Sequence, residues 1–96
     1  MNKFEFIASR ITTAELLAQL AEEAAELTHA ALKLRRKFDA TNPTPVTMDE
    51  ALENLKEELA DVELLVTIIG LDDFDAEIYD IMQTKLERWV KRLKEV

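Results

Sequence analysis

The chain has 96 residues, of which 48% are hydrophobic and 33% charged, and this balance excludes a disordered chain and fits one domain with a single modest core. A net charge of −8 argues against nucleic-acid binding, because phosphate backbones are held by basic surfaces. The absence of cysteine excludes disulfides and thiolate metal sites. With only one Gly and two Pro, the composition predicts a single all-α domain over residues 1–96.

Residues 1–11 form an N-terminal arm in this prediction. Its apolar residues Phe4, Phe6, Ile7 and Ile11 fit either a short helix or an extension that packs on another subunit. The arm lacks the long apolar run of a signal peptide, and no later stretch reaches the roughly 20 apolar residues needed to span a bilayer. We therefore expect a cytoplasmic protein without a membrane partner.

The first main helix is predicted from Thr12 to about Asp39. Thr12 and Glu15 have the spacing of a capping box, in which each side chain binds the other residue's backbone N–H. Residues 40–47 contain both prolines of the chain, which interrupt helical hydrogen bonding and favour an extended connection. This segment is therefore predicted to be an interhelical loop inside the domain.

The second main helix is predicted to begin after Thr47, which repeats the capping-box spacing with Glu50, and to end near Gly70. The third is predicted to open at Asp72 or Asp73 and to run almost to the end of the chain. We expect its buried side to consist of Ile78, Ile81, Met82, Leu86, Trp89 and Leu93. The sequence thus predicts an antiparallel bundle of three main helices.

The second half of the second helix, residues 59–69, is apolar on nearly all sides. A helix of this kind is normally surrounded by other elements. Three helices of one chain can hardly surround it, whereas a partner subunit can. We therefore expect the bundle to be completed by oligomerisation.

Two pairs of carboxylates stand out in these helices. Glu23 and Glu26 lie three residues apart on the first main helix, and Glu58 and Asp61 lie three residues apart on the second. Residues at this spacing point to the same side of a helix. The pattern Glu-Glu-x-x-acid-aliphatic occurs at 22–27 and again at 57–62, so antiparallel packing would set one pair against the other.

Neither pair has basic neighbours in the sequence, since no Lys or Arg occurs between Arg10 and Lys33 or between Lys56 and Lys85. Carboxylates beside apolar residues are costly to bury unless a cation pairs with them. Mg²⁺ and Mn²⁺ prefer carboxylate oxygens, so the four side chains are predicted to hold one or two such ions, as bundle-core carboxylate sites do. The alternative is a chance pattern on a solvated face, in a chain with 20 acidic residues.

These residues carry a resemblance to a known family. The phrases Leu20-Ala-Glu-Glu-Ala-Ala-Glu-Leu27, Glu57-Glu-Leu-Ala-Asp-Val62 and Lys85-Leu-Glu-Arg-Trp-Val-Lys-Arg-Leu93 resemble the small phage-type and bacterial members of the MazG-like all-α nucleoside triphosphate pyrophosphohydrolases. The resemblance covers roughly residues 12–93. Trp89 stands where some members carry Asn, so the contacts of that Asn are not carried over.

The resemblance implies a homo-oligomer, a dimer or a dimer of dimers, that cleaves a (deoxy)nucleoside triphosphate between its α and β phosphates. It implies that the four paired carboxylates ligate Mg²⁺, with Mn²⁺ as a substitute, and that Glu22 lies behind them or helps to orient the attacking water. It also implies that the basic residues of the tail, Lys85, Arg88 and Arg92, contact the substrate phosphates.

Two other functions stay open at this point. The chain would fit a non-catalytic helical module that keeps the acidic motif for assembly or regulation. It would also fit a related all-α pyrophosphohydrolase acting on phosphoribosyl-ATP or another nucleotide derivative. A metal-binding measurement distinguishes the non-catalytic module from an enzyme. Cleavage assays on a panel of nucleotides distinguish the two kinds of pyrophosphohydrolase.

Overall fold

The structure is a computed structural model that describes residues 1–39, 41–70 and 74–96. The described residues form four helices: α1 (Lys3–Arg10), α2 (Thr13–Asp39), α3 (Met48–Ile69) and α4 (Phe74–Lys94). The described ranges contain no strand, so the all-α prediction is confirmed. None of the described helices is both long and apolar enough to traverse a bilayer.

The helix count differs from the three predicted, because part of the N-terminal arm is itself helical. Asn2 caps α1: its side-chain oxygen accepts from the Glu5 N–H at 2.8 Å, and the Glu5 carboxylate accepts from the Asn2 N–H at 3.1 Å. This reciprocal pair satisfies two N–H groups that a helix start leaves without partners. Helix α1 packs on α3, with Ile7 and Ile11 against the core. Of the two alternatives for this arm, the short helix is therefore the one present.

The two long helices begin at the predicted cap residues with one of the two capping-box bonds, and at Thr47 the hydroxyl donates to the Glu50 carboxylate at 3.1 Å. The Glu15 N–H donates to Thr12 Oγ1 at 3.1 Å, and the Glu50 N–H donates to Thr47 Oγ1 at the same distance. Helix α3 ends at Gly70, whose N–H donates to the Val66 carbonyl at 2.8 Å. The predicted start of the last helix, at Asp72 or Asp73, lies outside the described residues.

Helices α2 and α3 pack against each other in antiparallel directions. Near the start of α2, Leu16 contacts Leu65 and Ile68, which lie near the end of α3. One to two turns further along α2, Glu23 meets residues that come earlier in α3. The loop between the helices, described over residues 41–47, reverses the chain direction. This reversal is what brings the two acidic segments together.

Helix α4 does not join this core. Most of its apolar side, predicted to be buried, is exposed in the single chain, with exposed fractions between 53% and 66% at Ile81, Met82, Leu86, Trp89 and Leu93, whereas Ile78 is half-buried. Within the described residues, α4 makes no extensive contact with α1, α2 or α3. The radius of gyration is accordingly 17.2 Å, against about 12.5 Å for a compact domain of this length. The prediction of a buried side on α4 is therefore wrong for the isolated chain.

Candidate metal centre

Three carboxylates converge where α2 and α3 cross. Glu23 comes from α2, and Glu58 and Asp61 come from α3. Glu58 and Asp61 lie one helical turn apart, so both point toward the facing helix. The antiparallel packing then sets Glu23 opposite them, and the predicted meeting of the two acidic segments is present in the fold.

The geometry of this group suits a small divalent cation. One oxygen from each of the three side chains lies within 4.8 Å of the others. Mg²⁺ holds its oxygen ligands at about 2.1 Å, so two ligands of one ion lie at most about 4.2 Å apart. Because only one pair of three octahedral ligands can lie on opposite sides of the ion, the other pairs lie about 3 Å apart, and closing the group onto one ion shortens its oxygen–oxygen distances by up to about 1.8 Å. All three donors are oxygens, which favours Mg²⁺ or Mn²⁺ over the softer metals.

Electrostatics at this group favour added positive charge. Burial raises the pKa of Glu23 above its ordinary value, and the Asp61 and Glu58 carboxylates raise it further. When protonated, the Glu23 carboxyl also donates a hydrogen bond to Asp61, which acts in the same direction. Burial likewise raises the pKa of Glu58, with Asp61 as the strongest charged neighbour. Neighbouring carboxylates thus oppose the ionisation of Glu23 and Glu58, and a bound cation would relieve that repulsion.

Two further acidic residues of α2 lie beside this group. Glu26 is not among the three convergent side chains, but its charge reaches both Glu23 and Glu58 and raises the pKa of each. It is exposed in the single chain. Glu22 is also exposed. The predicted roles of Glu26 as a ligand and of Glu22 in catalysis stay predictions.

The predicted phosphate contacts lie on α4. Lys85, Arg88 and Arg92 are all exposed and follow one another at helical spacing. Among the described residues, none of them forms an ion pair with the three convergent carboxylates. In the single chain, the structure therefore does not bring the basic residues of the tail to the acidic group.

An apolar cavity opens beside the carboxylates. Its volume is about 240 Å³, and helices α1, α2 and α3 all contribute to its wall. It is lined by Ile7, Ile11, Leu16, Gln19, Glu23, Asp61, Leu64, Leu65 and Ile68. Sequence reasoning did not single out Gln19, because a glutamine on an exposed helix position belongs to no motif. Its spacing four residues before Glu23 is the signal that would have placed it next to the site.

Comparisons with known proteins identify no relative: the chain matches no protein-family model, no curated protein and no solved structure.

Proposed function

We propose that the protein is a divalent-metal-dependent nucleoside triphosphate pyrophosphohydrolase that releases a nucleoside monophosphate and pyrophosphate. The observation that carries this proposal is the convergence of Glu23, Glu58 and Asp61 within 4.8 Å. The sequence resemblance to the MazG-like family supports the choice of reaction. A cytoplasmic location belongs to the same proposal.

Each acidic residue has a role in this proposal. Glu23, Glu58 and Asp61 hold the ion directly, and Glu26 completes the set from the exposed edge of α2. A bound Mg²⁺ would polarise the phosphoryl oxygens and offset the charge that develops during phosphoryl transfer. Glu22 orients the attacking water from the solvent side of α2. The three proposed ligands lie on the packed helices α2 and α3, so the fold brings their carboxylates together before substrate arrives.

The basic residues Lys85, Arg88 and Arg92 bind the substrate phosphates. They belong to one of the two clusters, 33–37 and 85–94, that together hold nine of the twelve basic residues of the chain. A triphosphate carries negative charge at both ends of its phosphate chain, so it can bridge a metal on one side and arginine or lysine on the other.

We also propose a homo-oligomer, a dimer or a dimer of dimers, which completes the bundle. The chain has an accessible surface of 7837 Å², about 2,200 Å² more than a compact monomer of its mass would have. Obligate interfaces bury about 1,000 to 2,500 Å² on each partner. Burying the apolar side of α4 against a second copy would therefore account for the excess.

A nucleotide panel tests the proposed activity. Purified protein would be incubated with each (deoxy)nucleoside triphosphate and with phosphoribosyl-ATP, in the presence of Mg²⁺ or Mn²⁺, and pyrophosphate release would be measured. We expect cleavage of at least one nucleoside triphosphate to its monophosphate. Cleavage of phosphoribosyl-ATP alone would move the protein to the related pyrophosphohydrolase class. No cleavage of any member by protein with a helical circular dichroism spectrum would refute the enzyme.

A non-catalytic assembly module is the second candidate, and the exposed apolar side of α4 is the observation that favours it. Such a module would assemble without metal and cleave none of the nucleotides. Because assembly alone fits both candidates, metal binding and cleavage are the measurements that separate them.

A further inference from the structure

The cavity beside the acidic group is lined by two chemically different sets of residues. Leu16, Leu65 and Ile68 belong to the hydrophobic core. Glu23 and Asp61 belong to the group of convergent carboxylates. A ligand that fills it must therefore combine an apolar part with a part that tolerates carboxylates or their bound cation.

The size of the cavity limits what enters it. At about 240 Å³ it is smaller than the roughly 300 to 1,000 Å³ of pockets that enclose whole small molecules. It can accept one compact ring system, while the rest of the ligand stays outside. Aliphatic walls suit the faces of a flat ring, whose burial removes apolar surface from water.

Gln19 is the one uncharged polar side chain in the lining. It lies four residues before Glu23 on α2, which places it about 6 Å along the helix axis from that carboxylate. Its amide offers both hydrogen-bond donors and an acceptor. A ring entering the cavity would meet this amide with its edge, while a phosphate attached to the same ligand would reach the carboxylate-bound ion.

From these observations we infer that the cavity between α1, α2 and α3 receives the base of the nucleotide and that the amide of Gln19 selects among bases. This inference rests on the proposed hydrolase function and deepens it by naming the residue that sets base preference. The apolar side chain of a second copy fits the cavity less well, because it would leave Glu23 and Asp61 against an apolar surface.

The test uses substitutions at the exposed position 19, where changes of side chain do not disturb the core. Gln19→Leu keeps the approximate size and removes the amide, whereas Gln19→Trp blocks the mouth of the cavity. The control is Gln83→Leu at the other glutamine of the sequence, which is half-buried on α4 and lies outside the described lining of the cavity. For every variant, kcat/KM would be measured for the full nucleotide panel, together with Mn²⁺ affinity by calorimetry.

We expect Gln19→Leu to change the ratio of kcat/KM between the best and the second-best base by about tenfold or more, since hydrogen bonds to a base edge discriminate strongly. Gln19→Trp should lower kcat/KM for all bases by about tenfold or more, and Mn²⁺ affinity should stay within about twofold of wild type in both.

Base ratios in Gln19→Leu that equal those in Gln83→Leu would overturn the role of Gln19. Unchanged kcat/KM in Gln19→Trp would overturn the pocket. A wild-type protein that binds Mn²⁺ but cleaves no nucleotide would instead refute the underlying function.

Discussion

The α2–α3 pair and α4 differ in what covers their apolar sides. Helices α2 and α3 bury their stripes against each other and leave an acidic group at the crossing. Helix α4 carries an apolar side of similar length, exposes it, and presents basic residues along its edge. The comparison shows that the apolar stripes of α2 and α3 are covered within the chain, whereas the apolar side of α4 is left exposed.

The largest expected effect comes from removing one carboxylate of the convergent group, which leaves α4 unchanged. Glu58→Ala should lower kcat for nucleotide cleavage by at least about 100-fold, since even residues that only support metal ligands cost 10- to 100-fold when removed. Pyrophosphate release under saturating nucleotide and Mg²⁺ would be the measurement. Glu63→Ala is the matched control, an exposed glutamate on the same helix outside the convergent group. Equal losses in the two variants would show that the acidic group has no special role.

The second largest effect is expected when a charge is placed on the apolar side of α4. Leu86→Asp should raise the dissociation constant of the oligomer by about 30-fold or more, because a central apolar anchor at an interface is worth about 2 kcal/mol or more. Light scattering over a range of protein concentrations would follow the mass toward the 11.0 kDa of one chain. Thr84→Asp adds the same charge on the polar side of α4 and should leave the mass unchanged. A wild-type protein that is monomeric at all concentrations would contradict the proposed assembly.

A smaller effect sharpens the comparison by testing the basic edge of α4. Lys85→Ala should lower kcat/KM by about tenfold, the value of one charge-assisted hydrogen bond of about 1.5 kcal/mol. Mn²⁺ affinity should not change, because the proposed metal ligands lie on α2 and α3. Lys94→Ala serves as the control, since nine residues along the helix place it on the opposite side. If Lys94→Ala lost as much as Lys85→Ala, general electrostatic attraction would replace a specific phosphate contact.

The smallest effect is the dependence of metal-free stability on pH. The pKa values of Glu23 and Glu58 are raised above the ordinary 4.5, so in this range the folded chain binds more protons than the unfolded chain. The stabilisation from these two groups is therefore complete below pH 4.5 and is lost as pH rises through their raised pKa values.

Urea unfolding with a chelator present, repeated from pH 4 to pH 8, measures this dependence. The difference in free energy of unfolding between wild type and Glu58→Gln should shift in favour of the variant as pH rises, because the variant lacks one of the repelling charges. Glu63→Gln should follow wild type. A wild-type stability that rises more steeply with pH than that of Glu58→Gln would contradict the repulsion.

Most helix boundaries could be predicted from the sequence, because they depend on local interactions. The caps at Thr12 and Thr47 and the end at Gly70 depend on hydrogen bonds within a few residues, and all three are present. The cap at Asn2 obeys the same rule but begins a helix of only eight residues, for which periodicity gives little signal.

The convergence of Glu23 with Glu58 and Asp61 was predicted from the repeated acidic pattern on two antiparallel helices, whereas Glu26, which belongs to the same pattern, is not among the convergent side chains. The exposure of the apolar side of α4 in the single chain was not predictable. Periodicity tells which side of a helix is apolar, but it does not tell whether the same chain or another one covers it. The cavity at Gln19 was missed for a related reason, since it forms only where three helices meet and no single segment encodes it.

The most direct test is a calorimetric titration of Mn²⁺ into metal-free wild type, Glu58→Ala and Glu63→Ala. A site formed by carboxylates from both α2 and α3 predicts saturable binding to wild type and Glu63→Ala and none to Glu58→Ala. Folded wild-type protein that binds no Mn²⁺, or a Glu58→Ala variant that binds it as tightly as wild type, would contradict the site.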